Sequence, residues 1–334
     1  MIELKPPYLM FLGDAADQLA AKTAKGIVDW RPEICIGQIK LGSCNADLGI
    51  PNLTLSEGRE KGAKTLIVGV ANRGGVISKP WEQVFIQALE LGFDIASGLH
   101  SKLTDIPEIK RIAELYECNL FDVRHPTESF DVGTGEKRNG NRLLTVGTDC
   151  SIGKKYTALA IERELVSRGI KASFRATGQT GIFIAGQGVS VDAVISDFIS
   201  GAVEQLAPEN SHEHWDIIEG QGSLFHPSYA GVTAGLIHGS QPDALVLCHE
   251  PTRSHMRGLP HYSLPSLNDC MYLNLELAKL TNPRAKFVGI AINTSGLGDE
   301  SATQYLSQIS TEFKLPCVDP VRTGVSVIVD QLFI

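Results

Sequence analysis

No Cys-x-x-Cys pair, no apolar run of membrane length and no surplus of basic residues occurs in this chain of 334 residues. Each absence removes a class of protein. The seven cysteines are scattered and odd in number, which suits reduced core thiols of a cytoplasmic protein better than a disulfide framework. Without roughly 20 consecutive apolar residues nothing reads as a membrane span. Leu9-Met10-Phe11-Leu12 is too short for a signal peptide and lacks its basic lead. A formal net charge of -8 argues against non-specific nucleic-acid binding, which neutralises phosphates with Lys and Arg, but leaves room for one local cationic pocket. Also missing are the Gly-x-Gly-x-x-Gly dinucleotide fingerprint, a His-Glu-x-x-His or other zinc set, and the Gly-x-Ser-x-Gly elbow. The His212-Glu213-His214 cluster lies in a polar stretch and is expected to face solvent. No metal site is expected.

What is present is a chain long enough for two domains, 43% hydrophobic and 20% charged. Apolar segments of strand length alternate with helical patterns throughout. Leu9–Leu12, Ile34–Gly37, Thr65–Val70, Asp94–Gly98 and Leu120–Val123 read as strands. Helices are expected over Ala15–Val28, Trp81–Leu91 and Pro107–Tyr116. The predicted class is α/β: a small Rossmann-like doubly wound domain over residues 1–130 and a larger P-loop-like domain over 142–334. Residues 126–142, rich in Pro, Gly, Asn and charge, read as a linker. In the second part, strands are expected at Lys171–Arg175, Asp216–Glu219, Ala244–Cys248 and Phe287–Ile292. Helices are expected over Lys155–Arg168, Val194–Gln205, Met271–Leu280 and Ala302–Phe313.

The most informative stretch opens that second part. After the apolar run to Val146 come Gly147, Thr148, Asp149, Cys150, Ser151, Ile152, Gly153, Lys154 and Lys155, then a helix containing Thr157. A glycine-flanked loop between strand and helix wraps backbone N–H groups around a phosphate and aims a helix N-terminus and a lysine at it. The spacing is one residue longer than the standard loop, with Thr148 where its first glycine stands. The standard motif also has Ser or Thr after the lysine, as a magnesium ligand. Lys155 occupies that position, which suits a site that grips phosphates without cleaving a nucleotide. The variant resembles the dethiobiotin synthetase branch of P-loop proteins.

Three further loops follow strands, where ligands of such sheets gather. The first, Arg175 to Gly188, is glycine-rich and contains Gln179 and Thr180. It reads as a binding loop embedded by Ile182-Phe183-Ile184, or as a surface loop. It leads to Asp192, either a helix N-cap or a base. The second is Glu219-Gly220-Gln221-Gly222-Ser223, with His226 beyond it. Glu219 is placed either to act on a metal or water, or to be satisfied by the glycine turn. His226 is either a general base or structural. The third carries His249, Arg253, His255 and Arg257, a guanidinium cluster able to clamp carboxylates or phosphates, or simply solvated. Arg73, beside two glycines, is a further candidate for a carboxylate.

Gly147-Thr-Asp-Cys-Ser-Ile-Gly-Lys154, Thr177-Gly-Gln-Thr-Gly-Ile-Phe-Ile-Ala-Gly186, Asp192-Ala-Val-Ile-Ser-Asp197-Phe and Ile218-Glu-Gly-Gln-Gly-Ser223-Leu together resemble the DgcN family. Ser97-Gly98-Leu99-His100 and Asp122-Val123-Arg124 extend the resemblance to nearly the whole chain. It implies a D-glutamate N-acetyltransferase using acetyl-CoA, partnered in its pathway by an N-acetylglutamate racemase of the enolase superfamily. The family has Thr where this chain has Tyr156. On that reading residues 147–155 and Thr157 grip the cofactor. Asp192, Glu219 and His226 are candidate bases. Arg73, Gln179, Thr180, Gln221, His249, Arg253 and Arg257 hold the substrate. A homo-oligomer is expected. The alternatives are a magnesium-dependent ATP ligase or kinase and a non-catalytic nucleotide-binding regulator.

Overall fold

The structure, a computed structural model, describes residues 2–70 and 75–334. The chain divides into two compact units, Met1–Glu128 with Gly178–Ala193, and Ser129–Thr177 with Val194–Ile334.

The first unit is built on five parallel strands, in spatial order Cys35–Lys40, Tyr8–Gly13, Thr65–Val68, Asp94–Ser97 and Leu120–Asp122. The central strands are continuous apolar runs because helices cover parallel sheets on both faces. Phe11 meets Trp81 and Phe85 edge-on, at centroid distances of 5.4 and 5.0 Å. Gly13 (φ +53°) ends its strand beneath Trp81, whose ring would lie 2.7 Å from any added Cβ. The expected first helix begins at Lys22, later than Ala15, because the Asp17 side chain holds the Ala20 N–H in a preceding turn.

The second unit holds six parallel strands, in spatial order Cys317–Val318, Lys286–Ile292, Ala244–His249, Asn141–Gly147, Trp215–Ile218 and Ala172–Arg175. The chain enters at Asn141–Gly147, crosses to the edge strand Ala172–Arg175, fills the gap with Trp215–Ile218, then builds outward on the other side. The order therefore reverses between Asn141–Gly147 and Ala244–His249. A crevice beyond the carboxyl ends of two strands at such a reversal is where ligands bind. The phosphate loop leaves the first of them and the His249–Arg257 loop leaves the second.

Three expectations need correction. The segment after Arg175 is not an open loop of the second unit. Gln179–Ala185 is a helix that groups with the first unit, and Ile2–Glu3 pairs with Gln187–Gly188. Its glycines terminate the helix, Gly186 taking φ +76°. Within the expected 126–142 linker, residues 134–138 are hydrogen-bonded to the second unit. The Glu204 carboxylate accepts N–H groups of Thr134 and Gly135, Arg138 donates to the Gly239 carbonyl, and Lys137 pairs with Asp243. The polar side chains that read as linker composition are hydrogen-bonding groups of a strap. Finally, Ala230–Ser240 is a helix where none was expected. Its glycines lower helix propensity, yet Gly235 and Gly239 lie against Ile199 and Ser200 so closely that a Cβ would fall within 2.7 and 2.3 Å of them.

The strap makes a measurable demand on Gly201. A Cβ there would sit 1.8 Å from the Asp131 carbonyl oxygen. Gly201→Ala should lower unfolding stability by about 1–3 kcal/mol, read as a lower urea midpoint. An unchanged midpoint would mean that residues 129–140 do not pack on helix Ile199–Leu206, which holds Gly201.

Candidate active site

The phosphate loop takes its shape from two left-handed residues, Ser151 (φ +55°) and Gly153 (φ +108°), the latter capping helix Lys154–Ser167. At Gly147 a Cβ would fall 2.6 Å from Ile152, so glycine lets the loop fold back on its strand. Lys154 is buried, its Nζ donating to the Asp149 carbonyl at 2.6 Å. Burial holds its pKa below the ordinary lysine value.

Asp149 is the hub. It is fully buried and accepts from Arg253 Nη1 at 2.8 Å, from the Arg257 N–H at 2.8 Å and from the Cys150 N–H at 2.7 Å. Burial alone would raise its pKa, but these hydrogen bonds outweigh it and keep the group an anion. Arg253 also donates to the carbonyls of Cys150 and Ser151 and to Glu250. Arg253, expected to hold substrate, braces the loop, its fork matching the acceptors that the loop presents. Arg257 differs: its side chain is exposed and makes no hydrogen bond among the described residues, leaving its charge for a ligand.

His226 was a candidate base. Its Nδ1 accepts the Ser228 N–H at 3.2 Å, so the proton sits on Nε2, 3.2 Å from the Arg257 carbonyl, and the ring stacks on Tyr229. Both nitrogens are engaged, and the residue reads as structural. A carboxylate oxygen of Asp149, the Cys150 sulfur and a ring nitrogen of His226 lie within 4.8 Å of one another. The same engagements leave this trio poorly suited to a cation. Burial, then Asp149, push the Cys150 thiol up, away from the reactive thiolate.

Glu219 ends strand Trp215–Ile218, is buried, and accepts the Thr177 N–H at 3.1 Å. Thr177 returns a bond from its hydroxyl to the Glu219 carbonyl and receives one from Gln221. Gly220 must be glycine: a Cβ would lie 1.7 Å from the Thr145 carbonyl oxygen and 3.0 Å from Lys154. Glu219 and Gln221 are thus brought to the phosphate loop. Thr177 and Ser223, whose hydroxyl donates to the Thr148 carbonyl at 3.2 Å, complete the network without having been singled out as functional. A Thr or Ser among glycines just after a strand was their only signal.

His249 closes the crevice. Its Nδ1 lies 2.9 Å from the Thr148 hydroxyl. Burial first, then Arg253, push its pKa down from 6.5 to about 4, so it is a neutral imidazole at neutral pH. Thr157 was expected to offer a hydroxyl to the cofactor. It is buried and donates to the Gly153 carbonyl, the bond a helical threonine makes one turn back. Lys155 sits 4.9 Å over the Tyr156 ring.

Gln179, Thr180 and Asp192 belong to the first unit. Asp192 is half exposed, with an oxygen 3.9 Å from Arg124 Nη1. Arg124 also donates to the Gly98 carbonyl, and a Cβ at Gly98 would meet the Gln179 amide at 2.5 Å. These residues form a cluster of their own at the ends of strands Asp94–Ser97 and Leu120–Asp122. Arg124 is its unforeseen member. Arg73 lies outside the described residues.

Two family models match the chain, a P-loop domain over residues 131–329 and a Rossmann-like domain over 40–126, both described as domains of unknown function. The chain belongs to the DUF1611 family. A solved DUF1611 protein from Anabaena variabilis is 31% identical, with a TM-score of 0.84 over 98% of this chain and 99% of its own. A D-glutamate N-acetyltransferase from Tritonibacter scottomollicae is 56% identical over 98% of this chain and 99% of its own length. Another of that name, from Pseudoalteromonas sp, is 50% identical over 99% of this chain and 100% of its own. Across this DUF1611 chain no helix among the described residues is long and apolar enough to cross a membrane.

Two predictions follow from the clamp and the imidazole. Arg253→Gln leaves the Asp149 carboxylate buried without its cation and should cost about 3 kcal/mol of stability. Arg257→Gln should change stability by no more than about 0.5 kcal/mol. Equal losses in urea unfolding would contradict the different roles assigned here. For His249 the folded pKa lies below the unfolded one. The unfolded chain therefore takes up a proton that the native state refuses as pH falls from about 6.5 to about 4. The associated stability is full above that window and lost through it, on the order of 3 kcal/mol. Between pH 7 and 4 the native chain should lose about that much more than His249→Asn; parallel curves would refute a neutral, buried imidazole.

Proposed function

We propose that this chain is a D-glutamate N-acetyltransferase drawing its acetyl group from acetyl-CoA. The observation that carries the reading is the pair of relatives of that name, 56% and 50% identical over practically the whole chain. The geometry supports it. Coenzyme A carries a pyrophosphate, which suits a loop of N–H groups at a helix N-terminus with a buried lysine. Acetyl transfer requires no magnesium ligand, and Lys155 stands where that ligand would be.

The amino nitrogen of D-glutamate attacks the thioester carbonyl carbon. The nitrogen sheds a proton, the C–S bond breaks, and the thiolate of coenzyme A leaves and is protonated. A base must take the amine proton. With His226 engaged at both nitrogens, Glu219 is the candidate of the second unit, and Asp192 that of the first. The oxyanion of the tetrahedral intermediate needs fixed donors, a role for loop N–H groups and the neutral His249. Arg257 and Gln221 would hold the substrate carboxylates, and Arg73 is a separate candidate of the first unit. Gln179 and Thr180 remain candidates on the first unit. The reading carries with it a cytoplasmic, homo-oligomeric enzyme whose product feeds an enolase-superfamily N-acetylglutamate racemase.

The test is free-thiol release from acetyl-CoA, in EDTA, with D-glutamate, L-glutamate or no amino acid. Release that depends on D-glutamate, and falls at least a hundredfold in Glu219→Gln if that residue is the base, is the expected result. No thiol release, with phosphate released from ATP once magnesium is restored, would replace the transferase by an ATP-dependent enzyme.

A further inference from the structure

The first unit contains a cavity of about 340 Å³, within the range of about 300–1,000 Å³ that holds small molecules. It lies at the amino ends of the parallel strands. Tyr8 opens strand Tyr8–Gly13, and Glu33 and Ile34 immediately precede strand Cys35–Lys40. Catalytic ligands of parallel sheets gather at the carboxyl ends, where the Arg124 cluster sits. This cavity is at the opposite edge of the same sheet and shares no residue with the candidate active site. Its facing wall is the segment from Ile184 to Gln187. That segment is tied down by the pairing of Ile2–Glu3 with Gln187–Gly188 and by the Leu4 N–H, which donates to the Gly186 carbonyl at 2.7 Å.

One buried polar group meets the cavity without a partner. Tyr8 is 1% exposed, and its hydroxyl makes no hydrogen bond among the described residues. That hydroxyl lies beside Gly186, where an added Cβ would come within 3.4 Å of it, and both residues line the cavity. Burial first, then Cys35, push the phenol pKa up, so the group stays neutral and able to donate. A buried hydroxyl left unpaired costs free energy that a ligand recovers. The rim carries both signs of charge, Arg31 against Glu3 and Glu33. Leu4, Ile34 and Ile184 supply apolar surface between them. A ligand that uses all of this has a carboxylate for Arg31 and the Tyr8 hydroxyl, an ammonium for the acids and a short aliphatic body. A second carboxylate would face Glu3 or Glu33, which disfavours glutamate.

We infer that this cavity binds a free α-amino acid with a neutral aliphatic side chain. The inference does not rest on the acetyltransferase reading. The ligand would touch the last turn of helix Gln179–Ala185, and Gln179 and Thr180 begin that helix. Occupancy therefore bears on the segment that carries two of the candidate substrate residues, as an effector site does.

The test is calorimetric titration of the full chain with L-leucine and with D-leucine, with backbone amide exchange followed in parallel. At least one enantiomer is expected to bind and to slow exchange over residues 2–8 and 179–188. 4-Methylpentanoate and 3-methylbutylamine keep the aliphatic body and lack one charge each, and each should bind about tenfold more weakly. Tyr8→Phe removes the hydroxyl and keeps the ring in the core. Arg31→Gln removes the cation at a partly exposed position. Each variant should weaken leucine about tenfold. Five outcomes would overturn the site: no binding of either enantiomer, leucine affinity unchanged in both variants, an analogue binding as tightly as leucine, protection only outside residues 2–8 and 179–188, or D-glutamate protecting residues 2–8 as well as leucine does. None of these readouts needs turnover, so failure of the thiol-release assay would sink the transferase reading and leave leucine binding as it is.

Discussion

The Asp149–Arg253 ion pair is the constraint on which the site depends. A fully buried carboxylate is costly unless it is paired and hydrogen-bonded, and here it is both. Because Arg253 also binds the carbonyls of Cys150 and Ser151, the pair locks two loops from neighbouring strands into one body. The shape of the loop is therefore fixed by the protein's own contacts. Preorganised N–H groups need little reordering when charge develops against them.

Burial sets the electrical character of the crevice. Lys154 is desolvated, His249 is neutral and Asp149 is neutralised by Arg253. Arg257 stays exposed beside them, without a side-chain hydrogen bond among the described residues. On the proposed acetyl-CoA reading, the exposed cation draws the anion from water and buried donors hold it, where the lower dielectric strengthens each bond. The acidic surface of the chain as a whole, at -8, is no obstacle, because charges beyond a Debye length are screened.

Much of this was legible in the residues. Runs such as Leu143–Val146, apolar but for Thr145, and Leu245–Leu247 identify buried parallel strands. Gly153-Lys154 after such a run identifies the phosphate loop. The Ala230–Ser240 helix was not legible. Its glycines lower helix propensity, and their reason is the close approach of Ile199 and Ser200, a contact between distant segments. The 129–140 strap was misread for a similar cause: Thr134, Lys137 and Arg138 look like linker residues until Glu204, Asp243 and the Gly239 carbonyl are seen opposite them.

Local sequence determined the α/β class, the place of the phosphate loop and the residues able to meet an anion, since these depend on patterns within a few turns of chain. Tertiary structure decided what each of those residues does. Arg253 and Arg257 are four positions apart and chemically alike, yet one is locked onto Asp149 and the other is left to solvent. His226 was read as a candidate base and His249 as a substrate-binding residue; Ser228 and the Arg257 carbonyl occupy the first, while burial keeps the second neutral. A side chain's role is set by the partners and the dielectric around it, and both are supplied by segments far away in sequence.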